Sequence, residues 1–286
     1  MSNPVSVMMI DYSRIWTSEW IIIGFFLYLI ILARLRPLSG HQRGRVVLVG
    51  LVCTSLVLML SQLRLSPFLH LARAWLPAIY MLQGYWLSGL FFRMAMPDIE
   101  EHLLDLDRWL FRTTNLTDLL TKGPRIVLEY LELAYLLTYF FVPASFALFC
   151  WLGFREEADN FWTAILIASY GCYGVLPWIQ TRPPRSLELD SPLDARELLF
   201  RRANLFILKH GSVQVNGFQS GHASAVVAAA LALGLVNPVI GAVLMVLAVS
   251  LIGATVLGRY RYAADTVLGA MLGVIGWWIG FQVKNF

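Results

Sequence analysis

Residues 258–265 read Gly-Arg-Tyr-Arg-Tyr-Ala-Ala-Asp, a doubly basic polar turn between the apolar stretches 238–257 and 263–282. An α-helix needs about 20 apolar residues to cross roughly 30 Å of hydrocarbon. The two stretches therefore predict two membrane-spanning helices that meet at this turn. Asp265 follows Arg261 by four residues, which predicts that both side chains lie on one helical face.

The composition extends this prediction to the whole chain of 286 residues. The chain is 58% hydrophobic and only 14% charged, whereas soluble domains carry about 25% charged residues. We therefore expect an all-α, polytopic transmembrane bundle of about eight spans, integral to a plasma, inner or endomembrane. The predicted spans are 19–35, 45–63, 73–95, 126–152, 160–179, 221–236, 238–257 and 263–282. The net charge of +4 suits anionic head groups and gives no indication of nucleic-acid binding.

The pattern divides the chain into three regions. Residues 1–97 hold N-terminal transmembrane helices, 98–125 an amphipathic interfacial helix, and 126–286 a transmembrane core with a loop at 180–219. The apolar stripe of the interfacial helix consists of Ile99, Leu103, Leu106 and Leu110. Its other faces are acidic, so we expect packing against the bundle rather than attraction to anionic lipid. Glu129 and Glu132 either face a polar cavity or lie in the head-group region, and we expect the second.

A second helix is predicted inside the 180–219 loop. Ser191-Pro192-Leu193-Asp194 has the serine, proline and aspartate spacing of a helix start, and the helix is expected to end near Phe206. Two interpretations stay open for its basic residues Arg196, Arg201 and Arg202. The helix is either an ordinary surface helix or a lid whose arginines reach an anionic head group.

Two further polar segments lie at the ends of apolar stretches. They read Arg182-Pro183-Pro184-Arg185 and Phe218-Gln219-Ser220-Gly221-His222. If eight spans alternate in direction, both segments and the 258–262 turn lie on one side of the membrane. Counting the predicted spans therefore indicates that the three polar segments form a common site.

Together the three segments resemble the motifs of the type-2 phosphatidic acid phosphatase superfamily, which includes inositol phosphorylceramide synthases and vanadium haloperoxidases. The resemblance covers roughly residues 75–280, with its specific part at 177–269. It implies a membrane-embedded phosphatase or phosphotransferase that is surrounded by membrane lipids. The implied substrate is a lipid phosphate or diphosphate. It implies no metal and no other cofactor, because arginines in this family take the place of a cation. The first two of these segments along the chain each depart from the family at one position: Val175 stands where a lysine is usual, and Gln219 replaces a proline.

The resemblance also assigns roles to single residues. His222 would protonate the leaving oxygen, Asp265 would orient the attacking group, and position 261 would attack phosphorus. The phosphate-binding set would be Arg182, Arg185, Ser220, Gly221 and Arg259.

Arg261 stands where the family has its nucleophilic histidine. A guanidinium stays protonated and offers no lone pair for attack, and loss of a nucleophile costs on the order of 10⁶ in turnover in a well-studied triad. Three hypotheses follow. The chain is an enzyme in which another group such as His210 attacks, a silent relative that binds lipid phosphate or organises partners, or an active enzyme carrying one replacement.

The orientation in the membrane is also open. The resemblance implies a site facing the periplasm, lumen or exterior. The span count, however, puts the 34–45 loop on the same side, and this loop carries Arg34, Arg36, Arg43 and Arg45. Such a loop favours the cytoplasm under the positive-inside rule. Either the first spans are miscounted or the orientation is unusual.

Overall fold

The computed structural model describes residues 11–63, 65–188, 193, 196–211, 213, 216–217 and 220–282. Helices dominate this part of the chain, which confirms the all-α class. The helices are α1 (Thr17–Leu35), α2 (Gly40–Gln62), α3 (Pro67–Gly89), α4 (Pro97–Thr113), α5 (Leu116–Lys122), α6 (Arg125–Trp151), α7 (Ala158–Val175), α8 (Pro184–Leu187), α9 (Leu199–Gly211), α10 (Gly221–Val236), α11 (Pro238–Leu257) and α12 (Ala263–Gln282). Short 3-10 turns occur at Tyr12–Arg14 and Arg155–Glu157, and β1 (Gln180–Thr181) pairs antiparallel with β2 (Asn216–Gly217).

Five of these helices are long and apolar enough to cross a membrane, by length and composition. They are α1, α2, α6, α11 and α12. The outer surface of α11 supports the same conclusion, because Val239, Val243, Val246 and Val249 are each more than half exposed. A contiguous apolar surface of this kind is typical of a membrane-facing helix. Each of the eight predicted apolar spans coincides with a helix, and three of those helices do not meet the criterion for a span.

The core is built around α10. This helix is apolar on all sides and packs against α6, α7, α11 and α12. Its alanines allow close approach, and the aromatic rings of α6 and α7, with Phe146, Phe161 and Trp162 fully buried, fill the space beyond it. The indole of Trp162 donates to the carbonyl of Ala74 (2.7 Å), which satisfies its one polar atom and ties α7 to α3.

Glycines let α12 lie against the backbones of α10 and α7. A methyl group added at Gly269 would lie 2.4 Å from the carbonyl oxygen of Ser220, and one at Gly273 would lie 2.6 Å from that of Ser224. Gly276 makes the same kind of approach to Ala164. The small-residue pattern of the last helix therefore serves helix packing.

Gly269→Ala is expected to lower the free energy of unfolding by about 1–3 kcal/mol, because the added methyl group pushes α12 away from α10. Gly253→Ala is the matched control, since nothing lies within 4 Å of its added methyl group. That control is expected to be neutral or to stabilise α11 by up to about 1 kcal/mol. Unfolding midpoints in detergent micelles measure both variants, and equal midpoints would contradict the close packing.

Two contacts define the ends of the bundle. Asp159, at the start of α7, accepts hydrogen bonds from the first backbone N–H groups of α1, Thr17 (3.0 Å) and Ser18 (2.8 Å). At the other end of these helices, the guanidinium of Arg36 lies 4.1 Å from the ring centre of Trp178. α1 and α7 therefore run in the same direction. The end that contains Trp178 and the segment after it is called the site end below.

The segment predicted as one interfacial helix over 98–125 forms two helices, α4 and α5, with Asn115 between them at φ 54°. The predicted stripe is also wrong, because Leu106 is 45% exposed. The buried face consists of Glu100, Leu103, Leu104, Asp107 and Phe111. α4 does pack against the bundle, as predicted, but through a face that contains two carboxylates.

The helix of the long loop differs from its predicted bounds. α9 runs from Leu199 to Gly211 and so ends beyond Phe206. The predicted cap lies outside the described residues at Ser191, Pro192 and Asp194. Glu129 of α6 accepts hydrogen bonds from the N–H groups of Leu199 (2.9 Å) and Phe200 (3.2 Å), the first two residues of α9. A carboxylate from a distant helix thus caps the start of α9.

Candidate functional site

The three segments singled out in the sequence lie together at the site end. The N–H of Arg185 donates to the carbonyl of Arg259 (3.1 Å), and its guanidinium donates to the carbonyl of Tyr260 (3.3 Å). The N–H of Ser220 donates to the carbonyl of Asp265 (2.9 Å). The 258–265 turn is therefore the element on which the other two segments are built.

The conformation of the turn is fixed by its own backbone and by two buried tyrosines. Arg259 adopts φ 59°, and the N–H groups of Tyr260 and Arg261 both donate to the carbonyl of Thr255 (2.9 and 3.1 Å). Tyr260 stacks on Tyr135 with 3.9 Å between ring centres. Tyr262 donates its hydroxyl proton to the carbonyl of Arg182 (2.8 Å).

The helix α12 begins only at Ala263, after this turn. Arg261 therefore precedes the helix on which Asp265 lies, and the predicted sharing of one helical face does not apply. Asp265 is fully buried in the first turn of α12. Its backbone fixes Ser220, so the acidic position and the Ser-Gly-His segment are held in one arrangement.

Arg182, predicted to bind phosphate, forms a two-pronged ion pair with Glu100 of α4. Its Nη2 and Nε lie 2.6 and 3.1 Å from the carboxylate oxygens, and its own N–H donates to Oε1 (2.6 Å). Burial alone would raise the pKa of Glu100, but the hydrogen bonds and charge of Arg182 outweigh burial and hold that pKa below its usual value. The same pair raises the pKa of Arg182.

Arg259, also predicted to bind phosphate, lies between two carboxylates. Its Nη1 is 2.8 Å from Asp107 and its Nη2 contacts Glu188. The other oxygen of Asp107 accepts from the N–H of Ala263 (2.9 Å), so this carboxylate also caps α12. Burial raises the pKa of Asp107 above its usual value despite these favourable partners. Arg259 thus anchors the turn to α4.

Arg185 and Arg261 form the basic centre of the site. Arg185 is half-buried beside the ring of Tyr260 and has no carboxylate partner among the residues that the structure describes. Burial lowers the pKa of Arg185, and the positive charge of Arg261 acts in the same direction. Arg261 is only 8% exposed, and its charge also acts on His222 and Tyr173. Two guanidinium groups within range of each other favour an anion between or beside them.

His222 lies at the edge of a cavity of about 380 Å³ between α3, α6, α7, α9 and α10. Tyr139, Tyr173 and Gly221 line the cavity beside it, and the other walls are mainly apolar. The rings of His222 and Tyr139 meet edge to face, with centres 5.8 Å apart. Gly221 is required here, because an added methyl group would lie 2.4 Å from the ring of Tyr173.

Ser220 is the N-cap of α10. Its hydroxyl accepts from the N–H of Ala223 (3.3 Å), and the residue is fully buried. Its polar groups are therefore used within the protein, where the prediction assigned Ser220 to phosphate. Gln219 and Phe218 of the same motif lie outside the described part of the chain.

Sequence reasoning missed a buried polar network centred on Glu132, which was expected in the head-group region. This carboxylate pairs with Arg201 of α9 (3.0 Å) and accepts from Tyr260 (2.6 Å) and Asn204 (2.8 Å). Glu132 and Arg201 are almost completely buried. Apart from the position of Glu132 on an amphipathic part of α6, the sequence holds no signal for its partners.

The basic residues of the long loop also have partners. Arg201 is held by Glu132, and Arg196 donates to the carbonyls of Thr121 (2.7 Å) and Gly123 (2.6 Å) at the end of α5. Arg202 is exposed near Glu197. This pattern is that of a helix fixed to the bundle by its arginines, and it gives no support to the lid interpretation.

His210, the other histidine of the long loop, lies at the last turn of α9. Its Nδ1 is 2.8 Å from the carbonyl of Phe206, and its ring packs against the ring of the same residue. The side chain is exposed, and this geometry gives no support to its acting as a substitute nucleophile. Comparisons of the chain with protein-family models, curated proteins and solved structures found no match.

Proposed function

We propose that this chain is an integral, multi-pass membrane protein that binds a lipid phosphate or diphosphate at the site end. In this proposal α1–α3, α6, α7 and α10–α12 are the eight spans, and α4 with α5 lies at the membrane surface. The fold is that of the type-2 phosphatidic acid phosphatase superfamily. Arg261 occupies the position of the nucleophile, so the proposed function is binding rather than turnover.

The observation that carries this proposal is the position of His222, which lines an apolar cavity and is also subject to the positive charge of Arg261. Arg185 and Arg261 supply positive charge, and His222, on which the charge of Arg261 acts, lines the cavity of about 380 Å³. A lipid phosphate has the matching distribution, with an anionic head and an apolar chain. Each methylene group that enters the cavity contributes about 0.8 kcal/mol, and arginine is suited to paired contacts with phosphate oxygens.

The remaining motif residues support the site from outside the basic centre. Arg182 and Arg259 are paired with Glu100, Asp107 and Glu188, which reduces the positive charge that they offer to a phosphate. Their role in the proposal is to position the 258–265 turn against α4. Ligand charge is then met first by Arg185, which has no carboxylate partner in the described part of the chain.

We expect Arg185→Gln combined with Arg261→Gln to weaken binding of phosphatidic acid by about 100-fold. Hydrogen bonds to charged groups contribute about 1.5–3 kcal/mol each, and tenfold corresponds to about 1.4 kcal/mol. Binding is measured on the purified full chain in neutral detergent. Arg112→Gln combined with Arg202→Gln is the matched control, because it removes the same charge from two exposed side chains.

Unfolding midpoints of both pairs of variants separate loss of the site from loss of the fold. Glycerol 3-phosphate, which has the head group without the chains, is expected to bind more weakly than phosphatidic acid. Equal affinity for both ligands would contradict the role of the cavity. Unchanged phosphatidic acid binding in the Arg185 and Arg261 double variant would contradict the site itself.

A further inference from the structure

A second cavity, of about 520 Å³, lies at the site end but outside the proposed site. It opens between the α1–α2 connection, the segment that follows α3, and the segment that follows α7. Its walls include Arg36, Pro37, Phe91, Arg93 and Trp178. None of its lining residues, all of which the structure describes, is acidic. The cavity therefore combines positive charge with apolar walls.

The two arginines of this cavity have no carboxylate partner in the part of the chain that the structure describes. None of the ion pairs in the described part of the chain involves Arg36 or Arg93. Arg36 instead lies over the face of the Trp178 ring, 4.1 Å from its centre. Such a contact orients a guanidinium while leaving its N–H groups free to bind an anion.

The walls of the cavity are held in place by hydrogen bonds within the protein. Gln180 is 8% exposed, and its Oε1 accepts from the backbone N–H groups of Arg93 (2.8 Å) and Met94 (3.2 Å). The indole of Trp178 donates to the hydroxyl of Tyr28 (2.7 Å), which donates to the carbonyl of Gly174 (2.7 Å). The guanidinium of Arg36 and the backbone of Arg93 are thus held in place before any ligand arrives, which lowers the entropy cost of binding.

The place of the cavity along the helices indicates the source of its ligand. Arg36 directly follows α1, one of the five candidate spans, so the cavity lies where such a span would leave the hydrocarbon. Leu35 and Met94, at its edge, are 75% and 79% exposed. Apolar side chains beside arginines at this depth match the junction between a lipid phosphate and its acyl chains.

We propose that this cavity binds the phosphodiester head group of an anionic membrane phospholipid. Arg36 and Arg93 contact the phosphate oxygens, and Pro37, Phe91 and Met94 contact the glycerol and the first chain carbons. This site is separate from the one formed by Arg185 and Arg261. It goes beyond the proposed function and does not depend on it.

The test counts bound dihexanoyl phosphatidylglycerol on the purified full chain by native mass spectrometry in neutral detergent. Arg36→Gln combined with Arg93→Gln is expected to weaken binding at one site by about tenfold or more. The matched control is Arg34→Gln combined with Arg45→Gln, which removes the same charge from exposed arginines that do not line the cavity. That control is expected to bind as the parent does.

The same titration is repeated in the Arg185→Gln, Arg261→Gln background, where lipid bound at the first site is removed from the count. If lipid does not bind at the first site, binding at the second cavity can still be measured. The outcome for one proposal therefore does not decide the other. Equal losses in the cavity variant and in its control would overturn the proposal, because the effect would be one of overall charge. Unchanged binding in the cavity variant would overturn it as well.

Two further arms identify the source of the phosphate. Dihexanoyl phosphatidylcholine, which has no net charge, is expected to bind at least tenfold more weakly than phosphatidylglycerol. Inorganic phosphate is expected not to displace the lipid at equal concentration, because it lacks contacts with the apolar wall. Displacement by phosphate at equal concentration would overturn the lipid source and assign the cavity to a free anion. Circular dichroism of each variant shows that the fold is retained.

Discussion

Arg261→His is expected to give this chain measurable phosphate release from lipid phosphates, at least on the order of 10³-fold above the parent chain. Loss of a nucleophile costs about 10⁶ in a well-studied triad, so even partial recovery is large. An imidazole has the lone pair that a guanidinium lacks. The charge at position 261 acts on His222, to which the resemblance assigns the role of acid, and Asp265 follows in the first turn of α12.

The measurement is phosphate release from phosphatidic acid and from an isoprenoid diphosphate, with purified protein in detergent. Arg261→Gln is the control, because it removes the positive charge without supplying a nucleophile. Adding His222→Ala to the Arg261→His variant is expected to abolish the recovered activity. If Arg261→His releases no more phosphate than Arg261→Gln, the site has diverged beyond this residue. The ion pairs of Arg182 and Arg259 are then the first candidates for that divergence.

Glu132→Ala is expected to lower the free energy of unfolding by about 3–5 kcal/mol. The substitution leaves Arg201 as a buried charge without its carboxylate, and breaking a buried pair from one side has a cost of this size. It also removes the acceptor of the Tyr260 hydroxyl, so the 258–265 turn loses one of its anchors. The change in unfolding midpoint in detergent micelles measures the effect.

A double-mutant cycle separates the ion pair from simple loss of volume. Glu132→Leu combined with Arg201→Leu is expected to be much less destabilising than either single change, because removing both charges leaves neither one buried alone. Glu101→Ala is the control on an exposed carboxylate of α4 and is expected to stay within about 0.5 kcal/mol of the parent. Additive effects of the two leucine substitutions would contradict a coupled pair.

The apolar runs of the sequence predicted the locations of the helices more accurately than the residues at which the helices begin. The run at 73–95 belongs to α3, which spans Pro67–Gly89. The helix starts early because the hydroxyl of Ser66 accepts from the N–H of Leu69 (3.4 Å) and Pro67 occupies the first helical position. Hydropathy is insensitive to such capping signals, which are local and polar.

The buried face of α4 could not be read from its own sequence. Its leucines predicted a stripe through Leu106, but the face that packs on the bundle includes Glu100 and Asp107. These carboxylates are buried because arginines more than 80 residues further along the chain meet them. Burying a carboxylate without such a partner has a large free-energy cost. The identity of the partner depends on the fold as a whole.

The candidate site was likewise predictable from the sequence only in part. We predicted from counting alternating helices that the three segments meet at one end, and their contacts show that they do meet. Which arginines keep their charge available did not follow. Arg182, Arg185 and Arg259 look equivalent as sequence, yet only Arg185 is without a carboxylate partner in the described part of the chain.

The stacking of Arg36 on Trp178 connects the orientation of the protein to the electrical potential across its membrane. It places the loop with Arg34, Arg36, Arg43 and Arg45 at the same end as the site, so recounting the first helices cannot move one without the other. Each elementary charge on the negative side of a 100 mV potential is favoured by about 2.3 kcal/mol. If the chain spans an energised membrane, we therefore expect this end to lie on the negative side.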